Sequence, residues 1–244
     1  MPRSFIAILI VLLAAACGGE DSGSSAEPSA ALPRGSQTVE LDPGEFTTEI
    51  DNPYWPMKPG SRWVFRERDA DGTVMRVEVT VTERRKLVDG IEAVVVHDVV
   101  TEEGELIEDT FDWYAQDAEG NVWYLGEDTK EFADGKVKST EGSWEAGVDG
   151  AQAGIAVPAE PRVGLTYRQE YYEGEAEDSA EVLSLDAKAV VPFGSFDPVL
   201  KTKDYTPLEP GLVEHKYYAR GVGPVLAVAV SNGGGREELV SFTR

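Results

Sequence analysis

Residues 108–129 read EDTFDWYAQDAEGNVWYLGEDT, with five aromatic side chains set among seven acidic ones. At the centre, Asp117-Ala118-Glu119-Gly120 has the form of a tight turn, since glycine after a type I turn supplies the left-handed conformation that closes a short hairpin. Aromatic and polar side chains alternate on both sides of it, which is typical of β-strands. The stretch predicts a β-hairpin and raises the question of whether its aromatic and acidic residues also form a ligand site.

The same form of turn recurs along the first half of the chain. A glycine preceded by an acidic residue occurs at Gly72, Gly90, Gly104, Gly120 and Gly135, and these glycines are spaced by 18, 14, 16 and 15 residues. Each interval leaves about ten to twelve residues for one strand. The regular spacing predicts an antiparallel meander.

The second half of the chain continues with short apolar and β-branched segments. The strand candidates are residues 165–172, 180–185, 189–191, 196–203, 212–219, 225–230 and 237–242. No long segment shows the periodicity of apolar residues that is typical of a helix. We therefore expect an all-β domain built from a single antiparallel, strongly curved sheet, half closed or closed into a barrel.

Alternation of side chains along each strand assigns the residues of the hairpin to two faces. In the register set by the turn, Tyr114 pairs with Tyr124, and Trp113 pairs with Leu125. One face is predicted to be the core face and carries Phe111, Trp113, Ala115, Trp123 and Leu125. On the other face, Tyr114 and Tyr124, beside Asp112, are candidate ligand-binding residues, although packing of the two rings across the strands also explains their presence.

The amino terminus has the form of a bacterial lipoprotein signal. Arg3 is followed by an unbroken run of 12 apolar residues, 5–16. Such a run is too short to span about 30 Å of hydrocarbon as a helix. It leads into Leu13-Ala14-Ala15-Ala16-Cys17, which resembles the lipobox in which the cysteine thiol receives a diacylglycerol. Cys17 is the only cysteine, and acylation would account for a thiol that has no second cysteine to pair with.

These features predict three segments. Residues 1–16 are expected to be a lipoprotein signal peptide, with lipid attached at Cys17, including a fatty acyl chain such as palmitate. A plain secretory signal that happens to end near a cysteine is the alternative. Residues 17–38 are rich in Gly, Ser, Ala, Pro and acids and predict a lipid-anchored, flexible tether. Residues 39–244 are expected to form the all-β domain.

The charge of the chain limits its partners. It contains 22 basic and 45 acidic residues, a formal net charge of −23. A negative field of this kind repels phosphate backbones and anionic headgroups, which argues against nucleic acid binding and against electrostatic docking on a membrane. The lipid would hold the protein to the membrane, and we expect a location in the bacterial cell envelope, facing the periplasm or the exterior.

The sequence contains no local pattern for a metal site or an activated nucleophile. His97 and His215 lie in strand candidates without the spacing of a zinc site. Acidic residues crowd the segments 102–109 and 170–178, but neither has the ordered ligand pattern of an EF-hand. There is also no Gly-x-Ser-x-Gly stretch. We therefore expect no metal and no cofactor.

Four longer phrases carry a resemblance to a known family. They are WYAQDAEGNVWYLGEDT at 113–129, TEGSWEAGVDGAQAGI at 140–155, GLTYRQEYYEGEAED at 164–178 and TPLEPGLVEHKYYARGVGPVL at 206–226. Together they resemble an uncharacterised family of secreted or lipid-anchored bacterial proteins. The phrase at 218–223 is also similar to one in envelope proteins with curved half-barrel sheets, distantly like the carriers that move lipoproteins between membranes. The resemblance implies a location and a fold, and it assigns no catalytic residues.

Two functions of different class fit these observations. The first is a non-catalytic binding module that holds a small or apolar ligand or docks an envelope protein partner. The second is a carboxylate-dependent, glycosidase-like hydrolase using acids of the 102–112 region, which would need two carboxyl groups in one cleft with shifted pKa values. We favour the binding module, because no nucleophile, base and orienting group can be named together.

The lipid assignment generates the first prediction. Substitution of Cys17→Ser should leave the precursor unprocessed or release a soluble form, because the apolar run alone would not hold a processed chain in a membrane. Metabolic labelling with a fatty acid analogue measures this directly. Equal incorporation of label into the wild type and Cys17→Ser would contradict lipidation at Cys17.

Overall fold

The computed structural model of the protein describes residues 31–231 and 234–244, so the predicted signal peptide and Cys17 lie outside the described residues. A 3-10 turn at Pro43–Glu45 is followed by strands β1 (Phe46–Thr47), β2 (Arg62–Arg68), β3 (Val74–Val88), β4 (Ile91–Glu102), β5 (Glu105–Asp117), β6 (Val122–Ala133), β7 (Lys136–Ser139), β8 (Trp144–Glu145), β9 (Gln152–Val157), β10 (Thr166–Arg168), β11 (Glu170–Tyr171), β12 (Ser179–Val191), β13 (Gly194–Tyr205), β14 (Val213–Ala219), β15 (Gly223–Ala229) and β16 (Gly235–Thr243). In this part of the chain no helix has the length and apolarity needed to span a membrane.

The strands form a single antiparallel sheet that curls into a nearly closed barrel with one unsealed seam. Its order is β10-β12-β13-β14-β15-β16-β2-β3-β4-β5-β6-β9-β11, with β1 paired to β5 and with β7 and β8 paired to β6. The two ends of this order, β10 and β11, follow each other in the chain on either side of Gln169. The predicted all-β fold with one strongly curved antiparallel sheet is confirmed.

All five predicted acid-glycine turns connect antiparallel strands. Their glycines have positive φ angles between 69° and 94°. At three of the turns the preceding acid, Asp89, Glu103 or Asp134, also has a positive φ, so these connections are two-residue loops of the I′ kind. Such loops match the right-handed twist of the paired strands better than the predicted type I turn with a bulge does.

The second half of the sheet differs from the predicted segments in two places. Residues 180–185 and 189–191 belong to one strand, β12, whose pairing with β13 has three register irregularities. Residues 165–172 are divided between β10 and β11, on opposite sides of the seam. Bulges interrupt the alternation of apolar residues without ending a strand, and this is why one strand reads as two in the sequence.

The central hairpin, β5 and β6, has the predicted register near its turn and a different register beyond it. Tyr114 pairs with Tyr124 as predicted, but Trp113 pairs with Gly126 instead of Leu125. Leu125 is the extra residue of a β-bulge. Gly126 has a φ of 131°, and a Cβ atom there would lie 2.3 Å from the carbonyl oxygen of Trp144. Because of this shift, Glu127 lies directly across from Asp112.

Both faces of the hairpin are buried, which corrects the prediction that only the tryptophan face is core. Trp113 and Trp123 are 5% and 7% exposed, and Tyr114 is also 7% exposed. The tryptophan face is covered by added elements: the Nζ atom of Lys86 lies 3.6 Å from the Trp113 ring centroid, and Phe46 of β1 packs edge-on against Trp123. The tyrosine face is enclosed because the sheet curls around it.

The seam is held by the buried side chain of Arg168, which is 1% exposed. Its guanidinium donates hydrogen bonds to the carbonyl oxygens of Gly35, Gln37 and Ala153 at 2.6 to 2.7 Å. Its backbone N–H donates to the carbonyl oxygen of Pro33 at 2.7 Å. Burial lowers the pKa of Arg168 to about 10, so the group stays charged at neutral pH. Residues 33–37, at the carboxyl end of the segment predicted as a tether, therefore contact the barrel.

The bulge in β6 generates a prediction about stability. Gly126→Ala should lower the free energy of unfolding by more than about 2 kcal/mol, because the new methyl group would clash with backbone and the φ angle is strained for any side chain. Gly194→Ala is the matched control, since no heavy atom lies within 4 Å of a Cβ atom built there and its φ is not positive. Denaturant melts of the two variants measure the difference. Equal stability would show that the bulge adapts freely.

Candidate functional site

The inner face of the barrel encloses a cavity of about 330 Å³, here called the barrel cavity. Apolar and aromatic side chains from β2, β3, β4 and β15 form much of its wall, together with Trp55 from the segment before β2. Polar side chains from several strands complete the lining. The residues that line it and bear on the site are Trp55, Phe65, Asp98, Asp112, Tyr114, Tyr124, Glu127, Glu170, Asp178, Lys216, Tyr218 and Glu237. A second cavity of about 560 Å³ shares Lys216, Ala227 and Glu237 with it.

The three candidate ligand-binding residues from the sequence lie together in this wall. Tyr114 and Tyr124 stack with ring centroids 4.9 Å apart and an interplanar angle of 19°. The hydroxyl of Tyr124 donates a hydrogen bond to Asp112 Oδ1 at 2.8 Å. Trp55 lies against Tyr114 at 5.3 Å, and Trp144 meets Tyr124 edge-on at 5.3 Å. The predicted trio is therefore part of a larger aromatic and acidic surface that faces the cavity.

Acidic residues lie directly opposite each other on neighbouring strands of this inner face. Asp112 of β5 is the cross-strand partner of Glu127 of β6, and Glu67 of β2 is the partner of Glu237 of β16. Like charges at directly opposed positions destabilise a sheet. Enclosure inside a barrel makes such pairs costlier, because water screens them less. These positions therefore oppose folding when they are ionised.

Burial raises the pKa of the carboxyl groups around the cavity. The pKa of Asp112 rises to about 7, since burial and nearby Glu108 outweigh the stabilising hydrogen bonds from Tyr124 and the backbone. The pKa of Glu170 rises to about 8 through burial and the proximity of Asp178, although Trp144 Nε1 donates a hydrogen bond to it at 2.9 Å. In the free protein these groups are partly or mostly protonated at neutral pH.

The remaining acids of the barrel cavity follow the same trend. Burial and nearby Glu67 and Glu214 raise the pKa of Glu237 to about 8. Burial also raises the pKa values of Asp98 and Glu127 well above their ordinary range, with Asp112 adding to the effect in both cases. Each of these side chains is partly buried and faces the cavity. Groups with perturbed pKa values in a cleft are typical of functional sites.

One basic side chain, Lys216 of β14, lines the barrel cavity. Its Nζ atom lies 3.1 Å from Asp204 Oδ2 and 3.9 Å from Glu214 Oε2. Burial alone would lower the pKa of Lys216, but these two carboxylates reverse the effect and raise it well above its ordinary value. The lysine charge is therefore balanced mainly by Asp204 and Glu214.

The acidic segments and histidines singled out from the sequence lie in different parts of the fold. From the 170–178 segment, Glu170 and Asp178 line the barrel cavity, whereas Glu173 and Glu175 lie at the exposed turn. His97 stacks on Phe111, and its Nε2 atom lies 2.5 Å from Asp109 Oδ1, on the outer face of the sheet. Within residues 31–231 and 234–244, no group of three His, Cys, Asp or Glu side chains is placed to hold a metal ion.

The sequence did not assign several residues to the site, namely Trp55, Asp98, Glu127, Lys216, Glu237, and Glu170 and Asp178 of the acidic segment 170–178. The sequence did contain an indication for Asp98. It places a charge in the apolar run VVVHDVV, two residues after the inward-facing Val96 and therefore on the same face of the strand. For Glu127 the sequence pattern was misleading, because the predicted register placed this residue on the tryptophan face. The others depend on closure of the sheet, which no local pattern encodes.

Comparisons with known proteins yield two structures and no family. No family model matches the chain, and no curated protein matches it. One similar crystal structure is that of a protein of Bacteroides fragilis NCTC 9343 described as exported and with a YmcC-like fold. Its sequence is 15% identical to this chain, the TM-score is 0.47, and the match covers 78% of this chain and 99% of that protein. The other, described as a lipoprotein of Parabacteroides distasonis ATCC 8503, is 11% identical, with a TM-score of 0.43 over 78% and 98%.

The raised pKa values generate a prediction about pH. Glu170 and Glu237 ionise near pH 4 in the unfolded chain but near pH 8 in the folded one, so the folded state binds more protons between these values. The free energy of unfolding should therefore fall as pH rises from 5 to 8.5, and the melting temperature should drop by several degrees. Thermal melts followed by circular dichroism measure this.

Substitutions at two neighbouring residues of β16 test whether the inward carboxyl groups cause this pH dependence. Glu237→Gln should reduce the slope of melting temperature against pH, because it removes one inward carboxyl group. Glu238→Gln should not change it between pH 5 and 8.5, because Glu238 pairs with Arg66 and Arg236 on the outer face, has a lowered pKa, and is ionised in both states over this range. A wild-type melting temperature that rises over this range would contradict the burial of these acids.

Proposed function

We propose that the protein is a lipid-anchored module of the bacterial cell envelope that binds a small organic ligand in the barrel cavity and leaves it chemically unchanged. The observation that carries the binding role is the cavity itself, preformed inside the barrel and bordered by aromatic rings. The lipid anchor and the location rest on the sequence of residues 1–17.

The arrangement of rings supports a ligand with an apolar body. Trp55 lies between Tyr114 and Tyr218, at ring-centroid distances of 5.3 and 6.4 Å, and Tyr124 extends the surface beyond Tyr114. Small-molecule sites are concave, mainly apolar, and carry a few polar groups that fix orientation. A volume of about 330 Å³ inside the barrel suits a small molecule better than a segment of an envelope protein partner.

A carboxylate-dependent, glycosidase-like hydrolase is the second candidate. It is favoured by Asp112, which faces the barrel cavity, accepts a hydrogen bond from Tyr124 and has a pKa of about 7. A carboxyl group of this pKa can serve as a general acid near neutral pH. The two candidates differ in whether a bound compound leaves the cavity unchanged, which mass spectrometry of the released compound distinguishes.

Binding in the barrel cavity is tested with 1-N-phenylnaphthylamine, a neutral fluorescent probe of apolar sites. Its emission should rise on addition to the purified protein and saturate at about one probe per chain, as expected for a single concave site. Ala227→Phe, which places a ring in the cavity, should abolish the saturable signal. Val190→Phe, at a position that is 68% exposed, is the control and should leave it unchanged. A signal insensitive to Ala227→Phe would contradict the proposed site.

A further inference from the structure

The ionisable side chains of the barrel cavity are nearly all acidic. Six acidic side chains line it, namely Asp98, Asp112, Glu127, Glu170, Asp178 and Glu237. Among the described residues, the one basic side chain in the wall is Lys216, and its ammonium group lies against Asp204 and Glu214, which are not among the six. Lys216 also attracts Glu170, Asp178 and Glu237, so within the described residues the cavity carboxyl groups least balanced by a positive charge are Asp98, Asp112 and Glu127.

The position of Asp98 adds an independent observation. Its Oδ1 atom is buried and accepts no hydrogen bond from the described residues, although the side chain lines the cavity. A buried polar atom without a partner lowers the stability of the folded state. Native proteins rarely retain such an atom without a partner, which is an ordered water, an ion or a ligand. The free oxygen of Asp98 thus lacks a donor, which a ligand in the barrel cavity can supply.

The arrangement of the acidic side chains favours an organic cation over a metal ion as the ligand of the cavity. No three acidic or histidine side chains of the described residues converge as a metal site requires. Instead, aromatic rings lie beside the carboxyl groups, and Asp112 is next to the stacked pair of Tyr114 and Tyr124. Ammonium groups are attracted both by carboxylates and by the faces of aromatic rings. This combination fits a ligand larger than a single ion.

We propose that the ligand of the barrel cavity is an organic ammonium compound, with an apolar body against Trp55 and Tyr114 and an amine that donates hydrogen bonds to Asp98. This inference rests on the proposed binding function and names the chemical class of the ligand. The cation would also neutralise the opposed pair formed by Asp112 and Glu127.

The test compares three probes of similar shape and different charge. Isothermal titration calorimetry of the purified full-length chain would measure binding of 4-phenylbutylamine, 4-phenylbutanol and 4-phenylbutyrate at pH 7.5. The amine should bind at least about tenfold more tightly than the alcohol, since charge-assisted hydrogen bonds and cation-π contacts add to the same apolar contact. The carboxylate should bind more weakly than either.

Single substitutions test whether the preference for the amine depends on the acidic residues of the cavity. Asp98→Asn, which keeps the shape of the side chain, should remove most of the preference for the amine over the alcohol, and Glu237→Gln should reduce it. Asp128→Asn is the matched control, because Asp128 neighbours Glu127 in β6 but points outward and pairs with Lys130. It should leave the preference unchanged. Thermal melts of each variant verify that it is folded.

The outcomes separate this inference from the proposed function. If the alcohol or the carboxylate binds as tightly as the amine, the ligand class is wrong, while binding in the cavity stands. If Asp98→Asn and Asp128→Asn reduce the preference for the amine equally, the assignment to the cavity acids is wrong. If none of the three compounds binds and 1-N-phenylnaphthylamine also fails to saturate, the proposed function fails with it.

Discussion

Closure of the sheet at Arg168 is the interaction on which the interior of the barrel depends. The guanidinium bridges β9, through Ala153, and the segment that contains Gly35 and Gln37, while its own backbone belongs to β10 at the far end of the strand order. The backbones approach so closely that a Cβ atom at Gly154 would lie 2.4 Å from the carbonyl group of Gln169. Curling of the nearly closed sheet buries much of its inner face, and the raised pKa values of the inner acids follow from that burial.

The inner face then combines features that work against each other in folding. Aromatic pairs such as Tyr114 and Tyr124 stabilise the sheet, whereas the opposed acids Asp112 and Glu127 destabilise it whenever both are ionised. A barrel of this size buries ample apolar surface and has no structural need for acids at these positions. Residues that lower stability at a concave surface are typical of binding or catalytic sites, because the residues that function requires are often not the ones that stabilise the fold.

The sequence predicts the local features of this protein better than its site. Acid-glycine pairs mark the positions of turns, so the turns from Gly72 to Gly135 were placed correctly although three have a different geometry, and alternation alone assigned Tyr114, Tyr124 and Asp112 to one face. The bulge at Leu125 was not predictable from the alternating pattern, because it depends on close contact with the backbone at Trp144, and it moved Glu127 to the inner face. Which face is enclosed depends on contacts across the seam, between residues far apart in the chain.

The hold of Arg168 on residues 33–37 also has a mechanical consequence. A load applied at the amino end of the described chain passes along residues 33–37, where the carbonyl oxygens of Pro33, Gly35 and Gln37 transmit it to Arg168 and so to the seam. The force would act on the one line along which the barrel is not sealed by strand pairing. Tension on the leading segment and the opening of the wall are therefore coupled mainly through Arg168, whose side chain and backbone N–H both bind that segment.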